Sequence, residues 1–313
     1  MLRRRTRKRV KRWLVYVVVR FWALVFLVLP LRLALSVGRW CGLLVYTLDR
    51  KGRLRARSQL ERAFSGPASW LASISRGVYA NLGMTAVEIA RMDRLRPDFE
   101  RYVVLGHEAR ETLASAQAEG RGVLFVTGHM GNWELLAQRI ASLGFRAATL
   151  ARSAPNPYLG AWLVRLREAG GLGTINRGDS SAARKILSTL RSGGLLGVLI
   201  DQSAPVPSVS VSFFGAPAPT PRVAAELAVR REVPIVFGRI WRRSGGGHEV
   251  SIERVVEDPV ARAMPRQARI LGLTQRLTAL IEAAIRERPA EWVWFHDRWR
   301  ARPEWVADVP PEA

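Results

Sequence analysis

Apolar positions fall along the chain in three textures. Near the start they are long and nearly continuous: residues 13–29 (WLVYVVVRFWALVFLVL) are apolar but for Arg20 and closed by Pro30, and residues 33–48 are broken only by Arg39 among apolar and small positions. Seventeen such residues stand at the short limit for a spanning helix. Farther on come short runs rich in β-branched and apolar residues, at 101–106, 123–126, 147–152, 174–176, 195–200, 234–241 and 249–255, which read as strands. Between them apolar residues recur at helical spacing, over 58–96, 108–119, 161–168 and 266–288, from Trp133 onward, and up to Arg191. A strand–helix–strand rhythm at roughly thirty residues predicts βαβ units. A hairpin across SGGGH joins the last two strands.

Charge sharpens the reading of the first segment. The net charge is +23, and residues 1–57 hold sixteen Lys/Arg against one Asp. The basic groups flank apolar stretches and no nucleic-acid-binding module is recognisable, so the expected partner is a membrane, with no nucleic acid. Basic runs on both sides of the apolar pair (1–12 and 50–57) should both stay cytoplasmic. A re-entrant or interfacial hairpin turning at Pro30 satisfies both, with Arg20 and Arg39 snorkelling to headgroups; a single span is the rival. A signal peptide fits less well, since no A-x-A-like site follows. The expected organisation is a basic arm and anchor over 1–57, a catalytic domain over 58–305 and a tail over 306–313. Cys41 is the single cysteine, which argues against a disulfide framework and for a reducing compartment; the four histidines show no metal-ligand spacing, so no metal is expected.

Candidate chemistry centres on residues 123–136, VLFVTGHMGNWELL. A buried strand hands over to a helix through Thr127-Gly128, His129 and Gly131-Asn132, the place where open α/β sheets bind ligands. His129 and Glu134 are five apart, about 140° on one helix at 100° per residue, so they meet only if His129 lies in the loop and Glu134 in the first helical turn. Asn132 is then the N-cap. In that geometry the Glu134 carboxylate orients one imidazole nitrogen and frees the other as a general base. From these residues alone a bland alternative stands beside it: His129 as a helix cap, Glu134 as a partner of the helix dipole.

GHMGNWELLA resembles the H-x4-D/E motif of glycerolipid acyltransferases, and more closely the form found in the bacterial lipid A biosynthesis acyltransferase family. Three further stretches resemble that family in order: Arg152 ahead of Asn156-Pro157, the segment from Arg177 to Asp201-Gln202, and FFGAPAPT followed by the C-terminal PAEWVWFHDRWRARP. The resemblance runs from about residue 70 to 303. It implies an α/β fold, a mixed, mainly parallel sheet flanked by helices and preceded by an N-terminal membrane-anchoring helical segment.

It also implies acyl transfer without a cofactor, from an acyl carrier protein or coenzyme A thioester to an anionic glycolipid or lysolipid hydroxyl, at the cytoplasmic face of a bacterial inner membrane. His129 is then the base, Glu134 its orienting partner, and Arg152, Arg177, Asp201, Gln202 and Asn132 bind substrate. Lipid A precursor is the first acceptor expected, phosphatidylinositol mannoside an alternative, and hydrolysis by a thioesterase or a non-catalytic scaffold the more distant readings. The absence of a G-x-S-x-G elbow argues against an acyl-serine intermediate; backbone N–H groups near Gly131 are the candidate oxyanion donors.

Smaller expectations complete the reading. Asn81 and Glu88 are ordinary surface polarity, His107 is structural, His248 exposed and inert. Asp179 or Ser180 caps the helix ending at Arg191, and Thr220 caps one beginning at Pro221. Phe213 and Phe214 line an acyl channel or, for at least one of them, the core. Trp292, Trp294, Trp299 and Trp305 suit a membrane-interface surface. His296, followed by Asp297 where the family pattern leads one to expect a basic residue, is not assigned a catalytic role.

Overall fold

The strand–helix rhythm closes into one seven-stranded sheet. The computed structural model describes residues 2–306, with side chains from Thr6 onward; the expected tail therefore lies, except for Val306, outside the described residues. The sheet strands are β1 (Val103–Leu105), β2 (Val123–Thr127), β3 (Ala147–Ala151), β4 (Leu172–Asn176), β5 (Leu195–Leu199), β8 (Ile235–Arg242) and β9 (His248–Val255), in the order β1-β9-β8-β2-β5-β3-β4. Every pairing but the β8–β9 hairpin is parallel. A separate antiparallel hairpin pairs β6 (Ser208–Phe213) with β7 (Ala216–Pro221).

Connections that move one way across a parallel sheet put their helices on one face, and those that return use the other. The helix after β2 therefore lies opposite those after β4 and β7. Leu135, Leu136 and Ile140 pack with Val123, Phe125 and Leu195 on one face. Ala182, Leu190, Ala224 and Ala225 pack with Leu124, Val126, Leu196 and Val198 on the other. All five β2 residues are buried, as a strand covered on both faces must be.

At the N-terminus, α1 (Leu2–Val28) and α2 (Leu31–Leu48) meet at Leu29-Pro30, where proline cannot continue the helix. They are followed by α3 (Arg50–Ala63) and α4 (Ala68–Ala90). α2 crosses α4 with backbones in near contact. A Cβ on Gly83 would sit 2.0 Å from the Gly38 carbonyl oxygen, and one on Gly42 2.1 Å from that of Tyr79. The free carbonyls ending α1 are taken by cations from beyond α4: Arg91 binds those of Phe26 and Leu29, and Arg94 that of Leu27. Among the described residues one helix, Leu31–Leu48, is long and apolar enough to cross a membrane by length and composition. α1 instead leaves Trp13, Leu14, Val17, Phe21, Leu24 and Val28 exposed at helical spacing, a continuous apolar stripe.

Several local expectations change. The helix capped by Asn156 starts at Pro157 rather than 161, with proline in the first turn. Ser181, not Asp179 or Ser180, precedes the helix Ala182–Arg191. Thr220 does not cap a helix: β7 runs through it to Pro221, the helix begins at Val223, and the Thr220 hydroxyl accepts from Arg298 at 2.5 Å. Trp292, Trp294 and Trp299 are core residues, 1%, 0% and 7% exposed, packed with Phe213 and Phe214; only Trp305 of that set is exposed. Aromatic rings next to arginines mark a membrane surface only if the chain turns them outward. Here Arg298 is itself buried and ties the segment to Pro219 and Thr220.

Candidate active site

The parallel register of β2 and β5 assembles the site. Thr127 pairs with Leu199, so two residues farther along each strand His129 and Asp201 emerge side by side. Asp201 is 1% exposed. Its Oδ2 accepts from the His129 backbone N–H at 2.7 Å and from the Trp292 indole N–H at 2.8 Å; its Oδ1 lies 2.8 Å from His129 Nδ1. Burial pushes the carboxyl pKa up. The neighbouring His129 and the hydrogen bonds from His129 and Trp292 outweigh it and hold the value at about 2. An ionised carboxylate can only accept, so the His129 hydrogen sits on Nδ1 and the Nε2 lone pair is free. The Trp133 ring meets the imidazole edge-on at 5.1 Å and fixes its plane.

The hydrogen bonds of Glu134 go to Arg167 and not to His129. Its two oxygens accept from the Arg167 guanidinium, Nε at 2.8 Å and NH2 at 2.5 Å, in a fork that turns the carboxylate toward the arginine. The bridge ties α6 (Trp133–Ala141), which α5 (His107–Ala118) precedes in the chain, to α7 (Pro157–Glu168) at the wall of the pocket. Asp201, expected among the substrate binders, is instead the carboxylate hydrogen-bonded to His129. Its distance of 72 residues from His129 hid the pairing; only the strand register reveals it.

Asn132 caps α6, its Oδ1 accepting from Leu135 N–H at 3.1 Å, but it is fully buried and donates to Glu88 at 2.9 Å, so it is closed to substrate. Glu88 itself is no surface residue. It is 0% exposed and receives Tyr102, Asn132, His248 and both arms of Arg242. Burial would raise its pKa, but the charges and hydrogen bonds of His248 and Arg242 hold it well below the usual carboxylate range. His248, expected exposed, is likewise fully buried in this knot because β9 places it opposite Val103 and Arg242. His107 is exposed and pairs with Glu111 on its own helix.

The backbone at Gly131 is not available to an oxyanion. Its N–H donates to the Glu291 carbonyl at 2.8 Å, that of Met130 to Gly128 at 2.9 Å, and that of His129 to Asp201. Gly131 has φ +55°, and a Cβ there would lie 2.0 Å from the Ile240 carbonyl oxygen, so glycine is required for this contact.

His129 opens into a cavity of about 560 Å³. β3 and β5 pair only through Thr149 and Gly197, two residues short of their ends, which opens a crevice at their carboxyl edge. One part of the cavity is walled by Phe125, Leu136, Ile140, Leu172 and Leu195, another by Ala182, Ile186, Val198 and Val223. Gln202, Arg152, Arg177 and Arg302 also line it, so four of the expected polar positions (these without Arg302, and with Glu134) line the same cavity as His129. Arg177 is half-buried. Burial and the like charge of Arg152 lower its pKa, and among the described residues neither arginine has an ion-pair partner. Phe213 and Phe214 are core, outside the cavity wall. Two buried polar atoms of the wall have no hydrogen-bond partner among the described residues: Thr127 Oγ1 and His296 Nε2. The described residues contain no group of three His, Cys, Asp or Glu able to hold a metal.

A mostly parallel sheet with a histidine–aspartate pair at adjacent strand ends, beside a cavity lined by apolar residues and arginines, is the frame of an α/β protein with its ligand site at the strand ends. The chain belongs to the bacterial lipid A biosynthesis acyltransferase family, whose model matches residues 2–301. Similar curated proteins include the phosphatidylinositol mannoside acyltransferases of Mycobacterium tuberculosis strains CDC 1551/Oshkosh and ATCC 25618/H37Rv, each 23% identical over 202 residues. Those matches cover 63% of this chain, which spans only 58% of the length of either relative.

Proposed function

We propose that this chain is a membrane-associated O-acyltransferase that moves a fatty acyl group from an acyl thioester, of acyl carrier protein or coenzyme A, to a hydroxyl of a lipid A-type glycolipid precursor. The observation that carries this is the His129–Asp201 pair at the mouth of an apolar cavity. His129 Nε2 removes the hydroxyl proton, and the acceptor oxygen attacks the thioester carbonyl carbon. The C–S bond then breaks, and the thiolate takes the proton from Nε2. Asp201 neutralises the imidazolium formed in between. No acyl-enzyme bond is needed.

The apolar arms suit acyl chains, and Arg152 and Arg177 suit a phosphate. The exposed stripe of α1 and its basic residues suit an interfacial position on an anionic bilayer, with the domain on the cytoplasmic side of the inner membrane. That position is supported further by α1 lying on the catalytic domain: Asn156 donates to the Arg12 carbonyl, Tyr16 packs on Tyr158, and Arg20 stacks over Trp162. The named relatives favour phosphatidylinositol mannoside as the second acceptor to try.

Mass spectrometry of lipids from cells carrying the wild type or His129→Ala tests the reading. The expected result is a lipid heavier by one acyl group in the wild type alone, its headgroup naming the acceptor. Free fatty acid without acylated lipid indicates a hydrolase, and identical profiles with both proteins membrane-bound overturn the role of His129.

A further inference from the structure

A residue in the middle of a central strand, with a helix packed over that face, is normally buried. Gly197 is not. It stands at the centre of β5, paired with Phe125 on one side and Thr149 on the other, and it is half-buried although both partners are buried. Side chains alternate along a strand, so these three residues form one row, on the face where Phe125 packs with Leu136 and Ile140 of α6. The backbone does not demand glycine there. Its φ is not positive, and the nearest atoms to a Cβ on it, all of β3, would lie at 3.7–3.8 Å, ordinary contact. Gly238 shows the contrast: a Cβ there would meet the Phe125 ring at 2.1 Å, so the ring lies over β8, on the side away from β5. A glycine inside a strand weakens it, and one that no neighbour requires marks a place where a ligand comes close to the backbone.

The space over Gly197 is the arm of the His129 cavity on the α6 face. Ala137 of α6 also lines it, and Leu195, Ala147 and Leu172 stand one row farther in. Toward the strand ends comes Thr127, whose buried hydroxyl has no hydrogen-bond partner among the described residues and is free to donate to an acceptor that a ligand brings. β2, α6 and the turn between them wall this arm, and that turn carries His129. A chain attached to the carbon attacked at His129 therefore has this arm in line. The other arm, with Ala182, Ile186 and Val198, lies across the sheet. At the rise of a parallel strand, Gly197 is about 13 Å and Leu195 about 20 Å along β5 from the level of Asp201. An extended octanoyl chain ends short of Gly197, and a myristoyl chain passes it.

We infer that the acyl chain of the donor lies in the arm on the α6 face, over the bare backbone of Gly197, and that this glycine is what admits a long chain. The inference rests on the transferase reading above and narrows its donor to long-chain thioesters. Gly197 is then a specificity-determining residue that takes no part in the chemistry.

The test titrates the full-length protein in detergent, without acceptor, with non-hydrolysable thioether analogues of octanoyl- and myristoyl-coenzyme A. The wild type is expected to bind the myristoyl analogue more tightly; equal affinities overturn the inference. Gly197→Leu is expected to raise the myristoyl Kd about tenfold or more, with the octanoyl Kd within about twofold of wild type. An unchanged myristoyl Kd overturns it. If Gly197→Leu weakens both analogues alike, Ala137→Leu fills the arm from a helix that tolerates leucine well; loss of the myristoyl preference there supports the inference, and an equal loss for both analogues again overturns it. A myristoyl preference removed by Ile186→Phe but kept in Gly197→Leu puts the chain in the other arm and overturns it too. Transfer from radiolabelled myristoyl-coenzyme A to a diacylated glucosamine phosphate is measured in the same preparation. Chain-selective binding by a wild type that acylates no lipid overturns the transferase reading and leaves the arm assigned.

Discussion

Replacing Asp201 by Asn tests the site at its most specific point. The two carboxylate oxygens have unequal duties: Oδ2 receives two N–H donors, from the His129 backbone and Trp292, and Oδ1 faces His129 Nδ1 alone. In the variant the amide oxygen must stay with the two fixed donors, because turning the NH2 toward them would set donor against donor in a buried site. The NH2 then faces Nδ1 and donates to it. That moves the imidazole hydrogen to Nε2 and removes the lone pair that takes the acceptor proton. The side chain keeps its volume and two of its hydrogen bonds, so the fold should persist. The expected loss in kcat/KM is about a thousand- to ten-thousandfold, or about 4–5.5 kcal/mol of transition-state stabilisation, with the acceptor KM within about threefold. The assay is acyl transfer from a radiolabelled thioester, paired with nitrogen NMR of the ring, where the hydrogen should shift from Nδ1 to Nε2. A loss under about tenfold, or an unchanged tautomer with full loss, would refute the argument that Asp201 sets the base.

Other perturbations separate the remaining contacts. Glu134→Gln and Arg167→Gln should be strongly coupled, the second change adding little once the first is made; additive losses in a double-mutant cycle of kcat/KM would place Glu134 elsewhere in the mechanism. Gly131→Ala should destabilise by about 3 kcal/mol or more in thermal melts, since it adds a positive-φ penalty to a backbone clash. Glu88→Gln leaves Arg242 buried without its charge partner and should destabilise by about 3–5 kcal/mol at neutral pH. Because the Glu88 carboxyl titrates below its ordinary value in the folded chain, its contribution is complete above that value and fades as pH falls below it; the gap between wild type and variant in denaturant unfolding should therefore narrow in acid, and a gap independent of pH would show that the charge is not what matters. Gly83→Leu should force α2 off α4 and destabilise the chain by about 1–3 kcal/mol in thermal melts; an unchanged melt would mean that the close crossing is dispensable.

What the sequence disclosed followed from local physics. The strand ahead of His129, the Asn132 cap and the parallel rhythm depend on residues a few positions apart, where apolar period and capping chemistry decide. The partners of the ionisable groups did not follow, since pairing across a sheet depends on strand order. Glu134 looked like the partner of His129 because it is near in sequence, whereas Asp201 sits on the adjacent strand and Arg167 on the next helix. Glu88, His248 and the three C-terminal tryptophans misled in the same way. Glu88 and His248 carry polar groups that water also satisfies, and tryptophan suits a membrane interface as well as a core, so only the packing around each shows that it lies inside.

The Glu88 knot also joins the N-terminal helices and the His129 loop into one object. α4 carries the glycine seam that receives α2, and five residues beyond Gly83 it carries Glu88. From Glu88 one path of hydrogen bonds runs through Asn132 to the first turn of α6, directly after His129. A second runs through Arg242, whose backbone N–H meets Glu291 at 3.0 Å, while the Glu291 carbonyl holds Gly131. The His129 loop is thus pinned on both sides from the helix that seats α2. Under the function proposed above, a base held this way keeps its position relative to α2, so a lipid headgroup approaching from a bilayer that holds α2 would meet His129 at a fixed height.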